Sequence, residues 1–541
     1  MSGGTPRTPH GAFPLTHKQI LVVFSGLGLG LLLAALDQTI VATALWTIVR
    51  DIGGTEGLDH ASWVVTAYLL TSTASTPLYG KISDLYGRKR IFQFAIVVFV
   101  LGSVLCGLVQ NMPQLIATRA IQGLGAGGLF ALTFTIMADV VSPRERGRYQ
   151  GYLGGVFAVA SVVGPLLGGY LTDPHALLGL ETSWRWIFFI NLPVGLVALV
   201  VTSAVLNMPF QRREHAIDYL GAVLLVGGVS ALLLVTVWGG QEYAWTSATI
   251  LGLAAAGVLL LVTAIWHERR QPEPVIPVQL FGISIFRVAN TITFLIGLTM
   301  FGVLIYLPIY FQLVDGASPM EAGLRLLPLM AGILTTSILS GRLISRLGRY
   351  KVFPIIGTGM IAVAMWLLSR LDVDTPMWES SLYMVVLGVG LGNVMQVIVI
   401  AIQNAVPLRH LGTATSSAAF FRQMGGSFGT AIFGAILSLR LAAYLPAGPV
   451  PGGDGAPSAG RINALPPQAQ DLVVTAFVRA LHDVFLVAAA VSVLAFGMAW
   501  FLKEIRLRTQ TTMHQATGNQ GLLGRDVARE PAGARGYSAD Q

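Results

Sequence analysis

The residues from Gly80 to Arg90 read Gly-Lys-Ile-Ser-Asp-Leu-Tyr-Gly-Arg-Lys-Arg, and they lie between two apolar runs that are each long enough to cross a bilayer. A second stretch, Gly-Arg-Leu-Ile-Ser-Arg-Leu-Gly-Arg-Tyr-Lys, spans Gly341 to Lys351 at the matching place of the second half. Two short basic loops at corresponding positions of two hydrophobic halves indicate a duplicated membrane carrier. Such carriers work by rocking one half against the other around a central site.

The composition is that of a protein whose solvent is lipid. Of the 541 residues, 54% are hydrophobic and only 11% are charged, whereas soluble domains carry about 25% charged residues. The formal net charge of +8 does not indicate nucleic-acid binding, because the basic residues fall in short loops and not on one folded face. We therefore expect membrane lipids, and no nucleic acid, among the partners.

The sequence lacks the residue patterns of an enzyme or a metal protein. Cys106 is the single cysteine, so neither an internal disulfide nor a thiolate metal cluster is possible, and the nine histidines show no ligand spacing. No Gly-x-x-x-x-Gly-Lys-Ser/Thr loop for ATP is present. We expect no catalysis, no metal and no cofactor, and an ion gradient as the energy source. One proton crossing about 150 mV releases about 3.5 kcal/mol, which sustains roughly a 300-fold substrate gradient.

Fourteen apolar runs have about the 20 residues needed to span roughly 30 Å of hydrocarbon. They lie at 19–48, 61–80, 91–111, 114–138, 149–172, 186–208, 218–238, 248–267, 286–312, 321–341, 352–369, 381–405, 413–440 and 475–502. The first run is too long for a signal-peptide core, so we interpret it as a retained helix. The even number of runs places both termini on the same side of the membrane.

The charges of the loops predict the orientation. One set of loops holds most of the basic residues, and the opposite set holds few. The basic set comprises Lys81, Arg88, Lys89, Arg90, Arg144, Arg146, Arg148, Arg212, Arg213, Arg269, Arg270, Arg346, Arg349, Lys351 and Arg409. The positive-inside rule places these loops and both termini in the cytoplasm. We expect a multi-pass protein of the plasma (inner) membrane.

The runs predict an all-α polytopic membrane protein of two six-helix bundles, at 15–208 and 286–502. The segment 209–285 between them holds two accessory transmembrane helices. Within the second bundle, residues 441–470 are rich in Pro, Gly and Ala, which favours a flexible outer loop. The polar segment 503–541 is predicted to be a disordered cytoplasmic tail.

Two segments have the composition of helix starts. Ser142-Pro-Arg-Glu145 and Ser318-Pro-Met-Glu321 each place Ser at the cap, Pro in the first turn and Glu three residues after the cap. We therefore interpret both glutamates as capping residues and not as members of a transport site.

Several motifs, in order along the chain, resemble the major facilitator superfamily. The Gly80–Arg90 stretch is similar to its loop signature Gly-x-x-x-Asp-x-x-Gly-Arg-Lys/Arg between helices 2 and 3. The likeness extends to Arg119-Ala-Ile-Gln122-Gly123 on helix 4 (Arg-x-x-Gln-Gly) and Gly164-Pro165-Leu-Leu-Gly168-Gly169 on helix 5 (the antiporter signature Gly-Pro-x-x-Gly-Gly). The segments Leu36-Asp-Gln-Thr-Ile-Val41 and Trp184-Arg-Trp-Ile-Phe-Phe-Ile-Asn-Leu-Pro193 look like those of the fourteen-helix drug:proton antiporter branch.

The resemblance covers nearly the whole chain and implies the major facilitator fold, with multidrug resistance transporters as the nearest functional type. Two positions depart from the pattern. Ala160 stands where the antiporter signature usually has Gly, and Ser345 stands in the second loop where the first has Asp84. The second departure removes one acidic gate from that side.

Asp37 lies well inside the first run, where an ionised carboxylate costs on the order of 3 kcal/mol. The favoured interpretation is a carboxylate that binds a proton or a cation and faces a wet cavity. The alternative is a carboxylate near the outer surface that fixes the packing of a neighbouring helix. Arg119 is the plausible counter-charge, and the resemblance implies that it takes part in proton coupling. Its alternative is a simple charge partner near the outer end of helix 4.

The loop from Gly80 to Arg90 is the candidate gate. An acid such as Asp84 at the end of helix 2 can face the positive N-terminal end of a helix from the other half, while arginines bind carbonyls or acids. Asp139, which closes helix 4 beside this loop, is the expected partner. We interpret Gly80, Asp84, Gly87, Arg88, Lys89 and Asp139 as a latch that holds the outward-open state. Topogenic charge alone explains the Lys and Arg residues but not Asp84.

Small residues at Gly164, Gly168 and Gly169, with Pro165, predict that helix 5 approaches a helix of the opposite half closely and bends at the proline. The alternative is ordinary small-residue packing. Polar and aromatic side chains within other runs are weaker candidates for a substrate cavity, since they also form interhelical hydrogen bonds. These candidates are Gln38, Gln122, Asn290, Tyr306, Tyr310, Asn393, Gln396, Arg422 and Gln423.

These observations predict a monomeric, proton-coupled antiporter that exports hydrophobic or cationic drugs and toxic compounds. The Asp37 carboxylate would bind proton and substrate in alternation, or proton binding would shift its link to Arg119. A dedicated exporter of one endogenous metabolite or lipid shares all these motifs and is the alternative. A transport-dead sensor or structural membrane protein is a second class, against which the intact Asp37, Arg119 and Asp84 speak.

Overall fold

The computed structural model describes residues 17–52, 57–172, 176–177, 180–206, 218–240, 242–272, 274–445 and 467–507. The greater part of the predicted outer loop (446–466) and of the predicted tail (508–541) lies outside these described residues. Within them the chain is almost entirely helical, and its one two-stranded ribbon pairs β1 (Ala176–Leu177) with β2 (Leu180–Glu181). This confirms the predicted all-α class.

The helices follow the predicted runs. In the first half they are α1 (His17–Ile52), α2 (Gly57–Tyr86), α3 (Arg88–Leu108), α4 (Met112–Val140), α5 (Pro143–Thr172), α6 (Trp186–Phe189) and α7 (Asn191–Val205). The accessory pair is α8 (Tyr219–Trp238) and α9 (Ala248–Glu268). The second half has α10 (Ser284–Leu313), α11 (Pro319–Leu324), α12 (Leu327–Leu347), α13 (Val352–Leu368), α14 (Met377–Ala405), α15 (Leu411–Tyr444) and α16 (Pro467–Trp500). Short 3-10 turns at Val278–Gly282 and Leu408–His410 precede α10 and α15.

Twelve of the described helical segments are long and apolar enough to cross a membrane. The predicted runs at 61–80 and 352–369 correspond to α2 and to α13, which has 17 residues. Helix α2 is rich in Ser and Thr because its hydroxyls bond to the neighbouring helix and not to lipid. Thr71 Oγ1 donates to the carbonyl of Ala120 at 2.8 Å, and Ser75 Oγ donates to that of Leu124 at 3.4 Å.

Each half has its own packing. In the first, α4 packs against α2 and α3, and α1 packs against α5 and α7. In the second, α10 packs against α15 and α16, while α14 packs against α12 and α13. A large apolar core fills the second half, and separate apolar clusters fill the first. The boundaries at 208 and 285 stay a prediction.

The halves meet along two seams. Helix α5 packs against α12 and α14, and α2 packs against α15. The accessory helix α8 lies over the second seam, where it contacts both α2 and α15.

The predicted capping box at α11 is confirmed: Glu321 N donates to Ser318 Oγ, and Ser318 N donates to the Glu321 carboxylate. Ser142 instead donates from its hydroxyl to the Glu145 carboxylate at 2.9 Å.

Candidate functional site

A buried ion pair joins the two charged residues that the sequence singles out in the first half. Arg119 of α4 places NH1 2.5 Å from Oδ2 of Asp37 on α1. The side chains of Asp37 and Arg119 are 0% and 1% exposed. Both charges would be costly alone in an apolar interior, so their pairing is what permits either to be there.

The pair is held by further hydrogen bonds. Gln122 Nε2 donates to Asp37 Oδ1 at 2.8 Å, and Arg119 NH1 donates to Gln122 Oε1 at 2.8 Å. Arg119 Nε donates to the carbonyl of Val64 at 3.2 Å, and the guanidinium lies 4.2 Å from the ring centroid of Tyr68. Gly123 follows at the point where α4 touches α2, since a Cβ there would overlap the backbone of Tyr68. The motif Arg-x-x-Gln-Gly thus supplies two side chains that bond to Asp37 and one glycine that permits close contact between α4 and α2.

Asn191 of α7 is a third partner of the carboxylate that the sequence analysis missed. Its Nδ2 lies 3.4 Å from Asp37 Oδ1 and 3.0 Å from Ser103 Oγ, and its own Oδ1 is buried without a hydrogen-bond partner. The one signal in the sequence for this role of Asn191 was an amide side chain inside an apolar run. Two helices besides α1, namely α4 and α7, therefore supply the hydrogen-bond partners of Asp37, and the acid is sealed from solvent in this conformation. Proton exchange requires these helices to move.

The Gly80–Arg90 loop forms the second constellation. Arg88 forms an ion pair with Asp84, and its Nε donates to Asp139 Oδ2 at 2.8 Å. Arg88 NH1 also donates to Ser83 Oγ at 2.6 Å. Gly87 has φ of 94°, a conformation that permits the sharp turn between α2 and α3. Lys89 Nζ donates to the carbonyl of Ser203 at 2.7 Å, within the same half.

Asp84 reaches across to the other half. Its Oδ2 accepts hydrogen bonds from the backbone N–H and from the hydroxyl of Thr413, both at 3.3 Å. Thr413 lies in the first turn of α15, where the free N–H groups and the helix dipole favour a negative charge. Gly80 permits this approach, since a Cβ there would overlap Ser416 Oγ. Burial raises the pKa of Asp84, while the charge of Arg88 acts in the opposite direction.

A second polar link between the halves lies beside the first. Arg146 of α5 is 1% exposed. It donates from Nε to the carbonyl of Val141 at 3.0 Å and from NH2 to the carbonyl of Ala138. Its NH1 lies 3.3 Å from Gln403 Oε1 on α14. Gln403 Nε2 in turn lies 3.3 Å from the carbonyl of Phe134. From the sequence, Arg146 is predicted to be only a topogenic charge, because nothing in its neighbourhood separates it from the adjacent arginines.

The antiporter motif is placed differently from the prediction. A Cβ on Gly164 would overlap Thr39 Oγ1 of α1, so this glycine permits close packing within its own half. Gly169 has no atom within 4 Å of such a Cβ, and Pro165 approaches the opposite half near Gly323 of α11. The expected close approach is made instead by a different set of glycines. Gly151, Gly154 and Gly155 face Ile338, Gln396 and Leu334.

Most second-half cavity candidates bond within the bundle. Tyr310 OH donates to the carbonyl of Asp372 at 2.7 Å, and Tyr306 OH lies 3.4 Å from that of Thr430. Asn290 and Asn393 donate to backbone carbonyls one turn earlier on their own helices. Asn290 Oδ1 and Gln423 Oε1 are buried and have no hydrogen-bond partner, and Gln38 and Arg422 are partly exposed. Gln396 lies at the α5 seam.

The described residues contain no group of three or more His, Cys, Asp or Glu side chains that could hold a metal ion. The first constellation is a buried ion pair, and the second is an ion pair that meets the end of a helix. The first can exchange a proton or a salt-bridge partner, and the second can be made or broken as the halves move.

Comparisons with known proteins agree with this architecture. The family model described as Major Facilitator Superfamily matches residues 27–218 and 204–430. The chain is 44% identical over 504 residues to the MFS-type transporter Rv1877 of Mycobacterium tuberculosis (strain ATCC 25618 / H37Rv), which covers 92% of this chain and 71% of that protein. It is 34% identical over 514 residues to Multidrug resistance protein 3 of Bacillus subtilis (strain 168). This alignment covers 92% of this chain and 98% of that protein.

A solved structure shows the same fold at low sequence identity. The proton:xylose symporter XylE, bound to 6-bromo-6-deoxy-D-glucose, superimposes with a TM-score of 0.62 at 16% identity. The likeness covers 93% of this chain and 99% of that one.

Proposed function

Because the chain belongs to the major facilitator superfamily and is thus a multi-pass membrane transporter and not an enzyme, we propose that it is a proton-coupled antiporter. In this proposal it exports hydrophobic and amphipathic drugs or toxic compounds, cationic ones included, by alternating access. The names of the similar Bacillus protein and of other relatives, such as the multidrug transporter MdtP and the efflux pump LUC4, support export of foreign or toxic compounds. The dedicated metabolite exporter remains the alternative.

The buried Asp37–Arg119 pair carries the proposal of proton coupling. Protonation of Asp37 removes the charge that holds Arg119, so the network through Gln122 and Asn191 must rearrange. Since these groups lie on α1, α4 and α7, one proton changes the contacts of several helices in the first half. A change of this kind is what couples an ion gradient to a conformational equilibrium.

The two polar links between the halves supply the gate. The Asp84–Thr413 and Arg146–Gln403 contacts join the halves at the end that the loop charges place in the cytoplasm. Both must break before that end opens. The bundles 15–208 and 286–502 would rock about these seams, with 209–285 as an accessory insertion. Both termini would lie in the cytoplasm of a cell with this protein in its plasma membrane, and the transporter would act as a monomer among lipids.

Purified protein in proteoliposomes tests the proposal. A lipophilic cation such as ethidium is followed by fluorescence while an inward proton gradient is imposed. We expect gradient-driven export by the wild type and its loss in Asp37→Asn, which cannot release a proton. Proton-independent exchange of ethidium should persist in that variant, since the conformational cycle remains. Wild-type rates of gradient-driven export in Asp37→Asn would show that the proton site lies elsewhere.

A further inference from the structure

Arg422 lies deep in the membrane part of α15. It is 11 residues from Leu411, the first residue of the helix, which corresponds to about 16 Å at 1.5 Å per residue. Its backbone carbonyl meets Gly297, close to the middle of α10, where any Cβ would overlap it. A guanidinium at this depth is costly in hydrocarbon, so its retention calls for a compensating anion.

The described part of the protein does not supply that anion. The side chain of Arg422 forms neither an ion pair nor a hydrogen bond there, in contrast to Arg119 and Arg146. Helices α8, α10 and α15 contain no Asp or Glu at all. Asp84 of α2 is bonded to Thr413, nine residues before Arg422. Asp483 of α16 is bonded to Arg440, 18 residues beyond Arg422 and thus about 27 Å along the helix.

The surroundings of α15 place this charge near the meeting of the halves. The helix packs against α2 and α4 of the first half, α10 and α16 of the second, and the accessory α8. Arg422 is nevertheless partly exposed. The next residue, Gln423, has a buried Oε1 without a donor. A cation without a counter-ion and an acceptor without a donor thus occur at one level of the same helix.

We infer that Arg422 is a recognition site for an anionic group, a carboxylate, sulfonate or phosphate, on the exported compound. This assignment rests on the proposed export function and adds amphipathic anions to its substrates. The anion of the cargo provides the counter-ion that the described residues do not supply, and the planar guanidinium donates paired hydrogen bonds to its oxygens. A donor group beside the anion, such as a hydroxyl, would satisfy Gln423. Compounds without an anion are recognised elsewhere and do not need this arginine.

The test uses full-length protein and two probes, taurocholate and ethidium. Taurocholate is an amphipath whose sulfonate stays ionised at every pH used, and ethidium is a lipophilic cation. Saturable binding of each is measured on purified protein, and gradient-driven transport is measured in proteoliposomes. The variants are Arg422→Gln, which removes the charge, and Arg422→Lys, which keeps it. Arg440→Gln is the matched control, since it removes an arginine from the same helix at a position that is paired with Asp483.

We expect the wild type to bind taurocholate saturably and Arg422→Gln to bind it at least tenfold more weakly, because a charge-assisted contact is worth about 1.5–3 kcal/mol. Arg422→Lys should stay within about threefold of the wild type, since the charge is kept, and Arg440→Gln should be unchanged. Ethidium transport should be the same in all four proteins.

The assignment is overturned if Arg422→Gln binds taurocholate as the wild type does, or if the wild type exports ethidium but does not bind taurocholate saturably. It is also overturned if Arg422→Gln and Arg422→Lys lose both probes together, which indicates a structural role. Binding of taurocholate that depends on Arg422, without any gradient-driven flux of either probe, would leave the site standing and refute the proton-coupled export.

Discussion

Asp84 accepts two hydrogen bonds from Thr413, a residue 329 positions away in the first turn of a helix of the opposite half. The contact joins a carboxylate to the positive end of a helix, which contributes roughly 1 kcal/mol in an exposed setting and up to about 2 kcal/mol when partly buried. This contact carries the loop signature from one half to the other, so it is the place to test the gate.

Asp84→Asn should loosen the first turn of α15. The variant loses the ion pair with Arg88 and most of the attraction to the helix end, so we expect backbone amides near Thr413 to exchange hydrogen about tenfold faster in mass spectrometry. Ser345→Ala is the control, since Ser345 occupies the matching position of the second loop. Unchanged exchange at α15 in Asp84→Asn would contradict the latch.

The Asp37–Arg119 pair should show strong coupling in unfolding experiments. Arg119→Gln leaves a buried carboxylate without its cation, which costs about 3–5 kcal/mol. The double variant Asp37→Asn/Arg119→Gln should recover most of this loss, because neutral side chains of similar size still exchange hydrogen bonds. Thermal unfolding of the four proteins in detergent gives the coupling free energy. Simple additivity of the two single losses would show that the pair is not energetically linked.

Arg146 and Arg148 form a natural comparison, because they lie two residues apart at the start of α5. Arg146 is buried and bonds to two carbonyls and to Gln403, whereas Arg148 is exposed. Arg146→Ala should lower the free energy of unfolding by about 3 kcal/mol, since buried acceptors are left unpaired. Arg148→Ala should change it by no more than about 0.5 kcal/mol. Equal effects in chemical denaturation would refute the second link.

The antiporter motif yields a test of packing. Gly164→Ala should destabilise the protein by about 1–3 kcal/mol, because its methyl group meets Thr39 across a tight contact. Thr39→Ala should relieve part of this loss. Gly169→Ala should be tolerated, since that position is open. Thermal unfolding of the three variants and of the Thr39→Ala/Gly164→Ala double variant distinguishes packing from a role of every glycine in the motif.

Because of His410, which lies just before α15, we expect the start of that helix to respond to pH. Burial lowers its pKa from 6.5, and the charges of Arg409 and Lys81 lower it further. A lowered pKa means that this arrangement favours the neutral ring, which accepts a hydrogen bond from Arg409 Nε at 3.0 Å. The contribution of His410 to the stability of this arrangement is therefore complete above pH 6.5, and it is lost as the pH falls through the lowered pKa.

We expect amides at the start of α15 to exchange faster, after correction for the intrinsic pH effect, as the pH falls from 7.5 to 5.5. The variant His410→Gln should lose this response. A pH response of the same size in His410→Gln would assign the effect to another group.

The sequence indicated the spans and the charged pair for physical reasons that need no tertiary information. Runs of this length have few alternatives to crossing a bilayer, and two opposite charges inside such runs are costly unless they meet. The capping box at Ser318 was predictable because it involves residues three apart. These features depend on local chemistry.

The features that the sequence did not indicate depend on which faces meet in space. Asn191 is one amide among several in apolar runs, and only the packing of α7 against α1 places it beside Asp37. Arg146 has the same local context as the exposed Arg148. Gly164 has the expected small side chain, but the helix that it touches is set by the crossing of α1 and α5 and not by the motif.

Helix α8 covers one of the two seams between the halves. Val229 and Leu233 of α8 share an apolar cluster with Phe420 of α15 and with Leu70 of α2. The accessory pair therefore covers the seam between α2 and α15. Within the described residues no such cover lies over the opposite seam between α5 and α12. We therefore expect that a compound entering from the bilayer would pass between α5 and α12 and not between α2 and α15.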